Sequence, residues 1–231
     1  MPGVRINKYI AQSGHCSRRK ADELISRGEV TLNGRRAELG DTVGEHDSVK
    51  VGSKLIKEEA HKVYIAFNKP TGVISTADEY APQTIYDYVK VPERTFSIGR
   101  LDVGSSGLMI LTNDGALANV LMHSRGNHEK EYLVRVTNDL TQEFLSAMQR
   151  GVVILGTKTK PCHTKKITER DFDIILTEGK NRQIRRMCEK LGNPVLALKR
   201  VRIASIRLRD LPIGEWRHLT KEEVTGLLRL I

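Results

Sequence analysis

Hydrophobic positions change their spacing several times along the chain, and each change marks an element. Ile6, Tyr9 and Ile10 recur at three and four residues, the spacing of one helical face. Ser13-Gly14 stops that helix, and Ser17 sits where its side chain can cap a second one, running from Arg18 through Ile25 to a stop at Gly28. Val30-Thr31-Leu32 then alternates as a strand does, and Asn33-Gly34 is a hairpin dipeptide. A turn at Gly40-Asp41 and a strand around residues 48–51 complete a small αα-then-β module. The polar stretch 57–62 reads as a boundary, which predicts domains 1–60 and 61–231. Beyond it, short apolar runs predict strands at 63–67, 108–111, 132–136, 152–155, 172–176 and 201–208, with turns at 68–72 and 112–115. Helical spacing returns at 116–122, 141–150, 182–191 and 221–230. Strands and helices mix without strict βαβ alternation, so the second domain is expected to be α+β.

Charge changes the picture next. The chain has 231 residues, enough for a substantial core, and 38 Lys and Arg against 28 Asp and Glu give a net charge of +10. Residues 1–36 hold eight basic and three acidic side chains, and residues 180–209 hold ten basic ones against Glu189 alone. Two separate positive blocks favour a polyanionic partner. Arg18, Arg19 and Lys20 occupy the first turn of the second helix, where the helix dipole disfavours cations. Phosphate binding explains them there, although a solvated basic turn is the alternative. No apolar run approaches the length of a membrane span, and the first residues lack a signal peptide's apolar stretch, so a cytoplasmic protein without membrane partners is expected. Cys16, Cys162 and Cys188 are odd in number and far apart, as reduced thiols are.

The run from Gly99 to Leu108, GRLDVGSSGL with MILTNDG after it, carries the clearest candidate chemistry. It sets Asp102 on a glycine-rich turn beside an apolar strand, a place where a catalytic group can be held rigidly. Taken alone, such an Asp also suits a side chain that serves its own turn. No GxxxxGK[ST] loop or dinucleotide GxGxxG is present, and Cys162-His163 and His15-Cys16 lack metal-site spacing, so neither cofactor nor metal is expected. A glycosidase would flank its bond with two carboxyl groups, and Asp102 has no clear partner; Asp114 belongs to the following turn.

GRLDxxSSGLMILTNDG resembles the catalytic motif of the RsuA/RluA-type pseudouridine synthases. Glu129-Lys130-Glu131-Tyr132 resembles the segment with that family's base-stacking tyrosine, and residues 178–187, EGKNRQIRRM, its basic third motif. Residues from about Val4 to Val51 look like an S4 RNA-binding domain. The resemblance implies an S4-like αα-β domain followed by a mixed, mostly antiparallel catalytic sheet with flanking helices. It further implies Asp102 as the essential catalytic residue, Tyr132 as the stacking platform and Arg185 as the cation paired with Asp102. Arg100 is a candidate to fill the gap left by a flipped nucleotide, with a simple salt bridge as its alternative. Ile184 is a substrate-binding candidate, while Lys180, Arg182 and Arg186 are expected on the RNA backbone. Uridine isomerisation in 23S ribosomal RNA by a cofactor-free monomer is the expected activity. Small-subunit RNA, a tRNA anticodon, or a non-catalytic S4-type RNA-binding or ribosome-assembly role stay open. The long basic tail common in this branch has no counterpart after Ile231, so the chain is either a compact form or one whose end was removed.

Overall fold

The computed structural model describes residues 3–57, 61–78, 80–122 and 126–231. The chain divides into two compact units, Met1–Val63 with Val91–Phe96 and Thr112–Gly115, and Tyr64–Lys90 with Ser97–Leu111 and Ala116–Ile231. The polar stretch read as a boundary lies partly outside the described residues. Among those described, no helix is long and apolar enough to cross a membrane.

In the first unit, helices Ile6–Gln12 and Arg18–Ser26 bury Ile6, Ile10, Ala21 and Ile25 against Val30, Leu32 and Val49. Ser17 Oγ accepts from the Lys20 backbone N–H at 3.1 Å and caps the second helix as expected. Asn33 and Gly34 both take positive φ, the requirement of the tight turn between strands Val30–Leu32 and Arg35–Arg36. Val49–Val51 pairs antiparallel with Val30–Leu32 and continues into Lys54–Ile56, a strand too short and too charged to stand out in the sequence.

The second unit is α+β. Its long sheet runs, edge to edge, His163–Lys166, Asp171–Leu176, Lys130–Val136, Val195–Ile203, Ser106–Thr112, Tyr64–Lys69 and Trp216–His218. Val195–Ile203 and Ser106–Thr112 run parallel; the pairings through Asp171–Leu176 and Lys130–Val136, and that of Trp216–His218 with Tyr64–Lys69, are antiparallel. Helices Gln142–Arg150 and Gln183–Lys190 cover one face, where Phe144, Met148, Ile184 and Met187 meet Val134, Phe172 and Leu198. Phe144 and Phe172 pack edge to face with ring centroids 5.8 Å apart. Leu108 to Leu111 are all fully buried, as an uninterrupted apolar strand inside a sheet should be.

Two expectations need correction. The turn placed at residues 68–72 begins only at Pro70, because the strand continues through Asn68 and Lys69, both buried. The strand placed at 201–208 is two strands, Val195–Ile203 and Ile206–Arg207, joined by a tight turn in which Ala204 has a φ of 49°. Charged residues at Lys199, Arg200 and Arg202 mask the apolar alternation that would have revealed the longer strand.

Candidate active site

Asp102 lies on the loop before strand Ser106–Thr112, half-buried, and the surrounding chain grips that loop at several points. The Ser105 amide donates to the Asp102 carbonyl at 3.0 Å, and the Gly72 amide donates to the Val103 carbonyl at 2.8 Å. Ser75 Oγ donates to the Leu101 carbonyl at 2.8 Å. Gly107 closes the loop with a φ of 104°, and a Cβ there would lie 2.7 Å from the Arg200 nitrogen and closer still to its carbonyl oxygen. Only glycine lets the two parallel strands approach this way.

Arg185 reaches the same loop from helix Gln183–Lys190. Its Nη2 donates to the Gly104 carbonyl at 2.6 Å and to Ser105 Oγ at 3.3 Å, while Nη1 donates to the Val195 carbonyl at 3.3 Å. Among the described residues no Asp102–Arg185 ion pair forms; the arginine holds the carboxylate's loop instead. Its helix is set by Gln183, whose Oε1 accepts from the Lys180 amide and whose Nε2 donates to Glu178, both at 2.9 Å. Burial lowers the pKa of Arg185, with the Arg182 charge adding to that and the Asp102 charge opposing it.

Tyr132 stands on the interior Lys130–Val136 strand, half-buried and packed on the core. Its Cα partners are Ile174 on one side and Arg200 on the other, and the pairing with Val195–Ile203 shifts register between Glu131 and Tyr132. Such irregularities re-aim side chains beside active sites. Glu131 and Glu129 both bind Arg202, at 2.5 Å and 3.0 Å, so the acidic residues just before the tyrosine fasten its strand to the next one.

The other sequence candidates divide by exposure. Arg18 and Arg19 are exposed, and Lys20 meets Glu23 at 3.1 Å. Arg100 is exposed and makes no ion pair among the described residues. Arg182 is exposed with a φ of 49°, whereas Arg186 turns back to Asn181 and Lys180 donates its Nζ to Thr157 Oγ1 at 2.9 Å. Ile184 is 4% exposed and belongs to the core cluster.

Lys69 escaped the sequence reading because it was assigned to a turn. It is fully buried, and its Nζ donates to the Pro70 and Val73 carbonyls, each at 2.8 Å. Burial pushes its pKa down to about 8, against an opposing pull from Asp102 and with a further lowering by Arg200. In the unfolded chain Lys69 titrates near 10.5, so between about pH 8 and 10.5 the unfolded state binds more protons and stability rises with pH. Urea unfolding from pH 7.5 to 10.5 should therefore show a rising difference in stability between wild type and Lys69→Met as the variant's own slope flattens. A pH-independent difference would show an ordinary lysine.

Residues 63–190 match the family model described as RNA pseudouridylate synthase, and residues 4–49 match the S4 domain. The chain is 50% identical over 230 residues to the dual-specificity RNA pseudouridine synthase RluF of Escherichia coli (strain K12), covering 99% of this chain and 79% of that protein. The chain belongs to the RNA pseudouridine synthase family. Ribosomal large subunit pseudouridine synthase B of Bacillus subtilis (strain 168) is 42% identical, with 98% of this chain and 96% of that protein covered. A crystal structure of a pseudouridylate synthase superposes with a TM-score of 0.73 at 29% identity, covering 97% and 99% of the two chains. In this pseudouridine synthase the matched span contains Lys69, Asp102, Tyr132 and Arg185, and it ends before Arg200.

Proposed function

We propose that the enzyme isomerises one uridine of large-subunit (23S) ribosomal RNA, with Asp102 as the reacting carboxylate and Tyr132 as the platform for the extruded base. The observation that carries this reading is the placement of a half-buried carboxylate on a loop fixed from several sides, ahead of a strand separated from the one that bears Tyr132 only by Val195–Ile203. The reaction breaks the N1–C1′ bond, forms C5–C1′, releases the C5 proton and protonates N1. No external group is consumed, so the protein's task is to extrude the nucleotide, hold it and place one carboxylate. Asp102 acts as a nucleophile toward sugar or base, or as a base at the ribose. Arg185 keeps the Asp102 loop in register, and exposed Arg100 fills the gap left by the flipped nucleotide. Residues 1–60 bind RNA through Arg18, Arg19 and Lys20, while residues 61–231 carry the catalysis.

The name of the Bacillus subtilis relative supports large-subunit ribosomal RNA as the substrate class. The Escherichia coli relative is named as having dual specificity, so a second RNA substrate is worth testing, and a tRNA anticodon is the one to try. Mapping pseudouridines after incubation of the purified protein with 23S RNA, 16S RNA and bulk tRNA decides between them. One new site in 23S RNA is the expected result, and modification confined to 16S RNA or tRNA would overturn the 23S assignment.

Stacking makes a separable prediction. Tyr132→Phe should keep most activity, whereas Tyr132→Leu should lose roughly 5- to 150-fold in kcat/KM, the factor corresponding to about 1 to 3 kcal/mol of base stacking. Equal losses in the two variants would assign the role to the hydroxyl or to packing.

A further inference from the structure

Arg200 is 3% exposed, lies on strand Val195–Ile203 and has no carboxylate partner among the described residues. A buried guanidinium without a counter-ion is costly, and an apolar residue of similar size would commonly serve stability as well or better. Its hydrogen bonds show what it does instead. Nε donates to the Leu108 carbonyl at 2.7 Å, in the strand just after the loop that carries Asp102, and Nη1 to the Arg100 carbonyl at 3.4 Å, just before it. Nη2 is buried without an acceptor, so the side chain is not arranged to satisfy itself fully. The backbone of the same residue is the surface against which Gly107 closes, and its Cα partner across the sheet is Tyr132. One residue thus touches both ends of the carboxylate's loop and neighbours the tyrosine's strand position. Burial is the main cause that lowers the pKa of Lys69 and of Lys130, and the nearby charge of Arg200 lowers both further.

We propose that Arg200 is a positioning residue for the isomerisation, clamping both ends of the Asp102 loop to the strand beside Tyr132 so that carboxylate and ring hold one spacing. Arg185 fixes the middle of the loop, at Gly104 and Ser105, and Arg200 fixes its ends. The proposal rests on Asp102 as the reacting group. A misplacement of about 1 Å costs on the order of 10²-fold in rate, which sets the size of the effect.

The test compares Arg200→Met and Arg200→Lys with wild type on one 23S RNA fragment, well below each variant's melting temperature. Measured together are the single-turnover rate, the Kd for RNA and amide hydrogen exchange across residues 100–108. Arg200→Met should slow the single turnover by roughly 10²-fold with the Kd within about 3-fold, and lose exchange protection in the loop. Arg200→Lys, which keeps the charge and can reach one carbonyl, should recover part of both rate and protection. Should Arg200→Met fail to fold, the lysine variant carries the test alone, by an intermediate rate loss at unchanged Kd. Wild-type rate in either variant would overturn the proposal, and so would parallel losses of rate, affinity and protection throughout the chain, which mark a purely structural arginine. If wild type itself converts no uridine, the functional reading fails first.

Discussion

Asp102→Asn is expected to abolish pseudouridine formation, a loss of roughly 10⁴-fold or more, while RNA affinity stays within a few-fold. The substitution removes one negative charge and, on the proposed reading, the reacting oxygen, and little else. Contacts that shape the loop come from backbone groups, the Asp102 and Val103 carbonyls and the Leu101 carbonyl bound by Ser75, so the amide side chain should sit where the carboxylate did. Proteins that bind RNA take much of their affinity from phosphate contacts by basic side chains, and Asp102, a carboxylate, makes no such contact. A second consequence separates loss of charge from loss of fold. Asp102 favours the charged forms of Lys69 and Arg185, and without it the Lys69 pKa should fall further. The pH window over which stability rises should then begin below its wild-type onset near pH 8. Measuring base isomerisation and urea unfolding on the same preparation checks both, and substantial turnover by the variant would remove Asp102 from the chemistry.

Local chemistry made the first unit legible. Ser17 caps, Asn33-Gly34 turns, and Ile6, Ile10 and Ile25 pack, each through interactions within a few residues or along one face. The same holds for Thr141, whose Oγ1 accepts from the Phe144 amide at 3.1 Å at the start of helix Gln142–Arg150. Asp102, Tyr132 and Arg185 could be named because they lie in recognisable strings. Lys69 and Arg200 could not, since a lysine before proline reads as a turn and an arginine among ten basic residues reads as a phosphate contact. Their roles are set by partners far away in sequence: Arg200 binds Leu108, 92 residues away, and Arg100, 100 residues away. Lys180 is the converse case, since its ammonium is engaged by Thr157 and Lys158 and the spacing of the basic run carries no sign of that.

Gly107→Ala is expected to be the most damaging single-methyl change in the chain, for backbone reasons alone. At a φ of 104° an alanine is strained, and its Cβ would meet the nitrogen and carbonyl of Arg200, backbone atoms that cannot swing away as a side chain can. Relief requires Ser106–Thr112 to move away from Val195–Ile203, where Ser106 pairs with Lys199 and Gly107 with Arg200. That movement also draws Leu108 away from the Arg200 guanidinium, so strain and a lost hydrogen bond add. Costs of about 1 to 3 kcal/mol for the backbone and about 1 to 3 kcal/mol for a buried donor left unpaired give a total of roughly 2 to 6 kcal/mol. For a domain of this size, each kcal/mol lowers Tm by about 2 to 4 °C, so a fall of between about 4 and 24 °C is expected. Activity should fall further than stability explains, because the same displacement shifts Asp102 relative to Tyr132. Calorimetry and single-turnover assays well below the lowered Tm check the two parts separately. A variant with wild-type Tm and rate would show that the strands separate freely at this point and that the loop needs no such clamp.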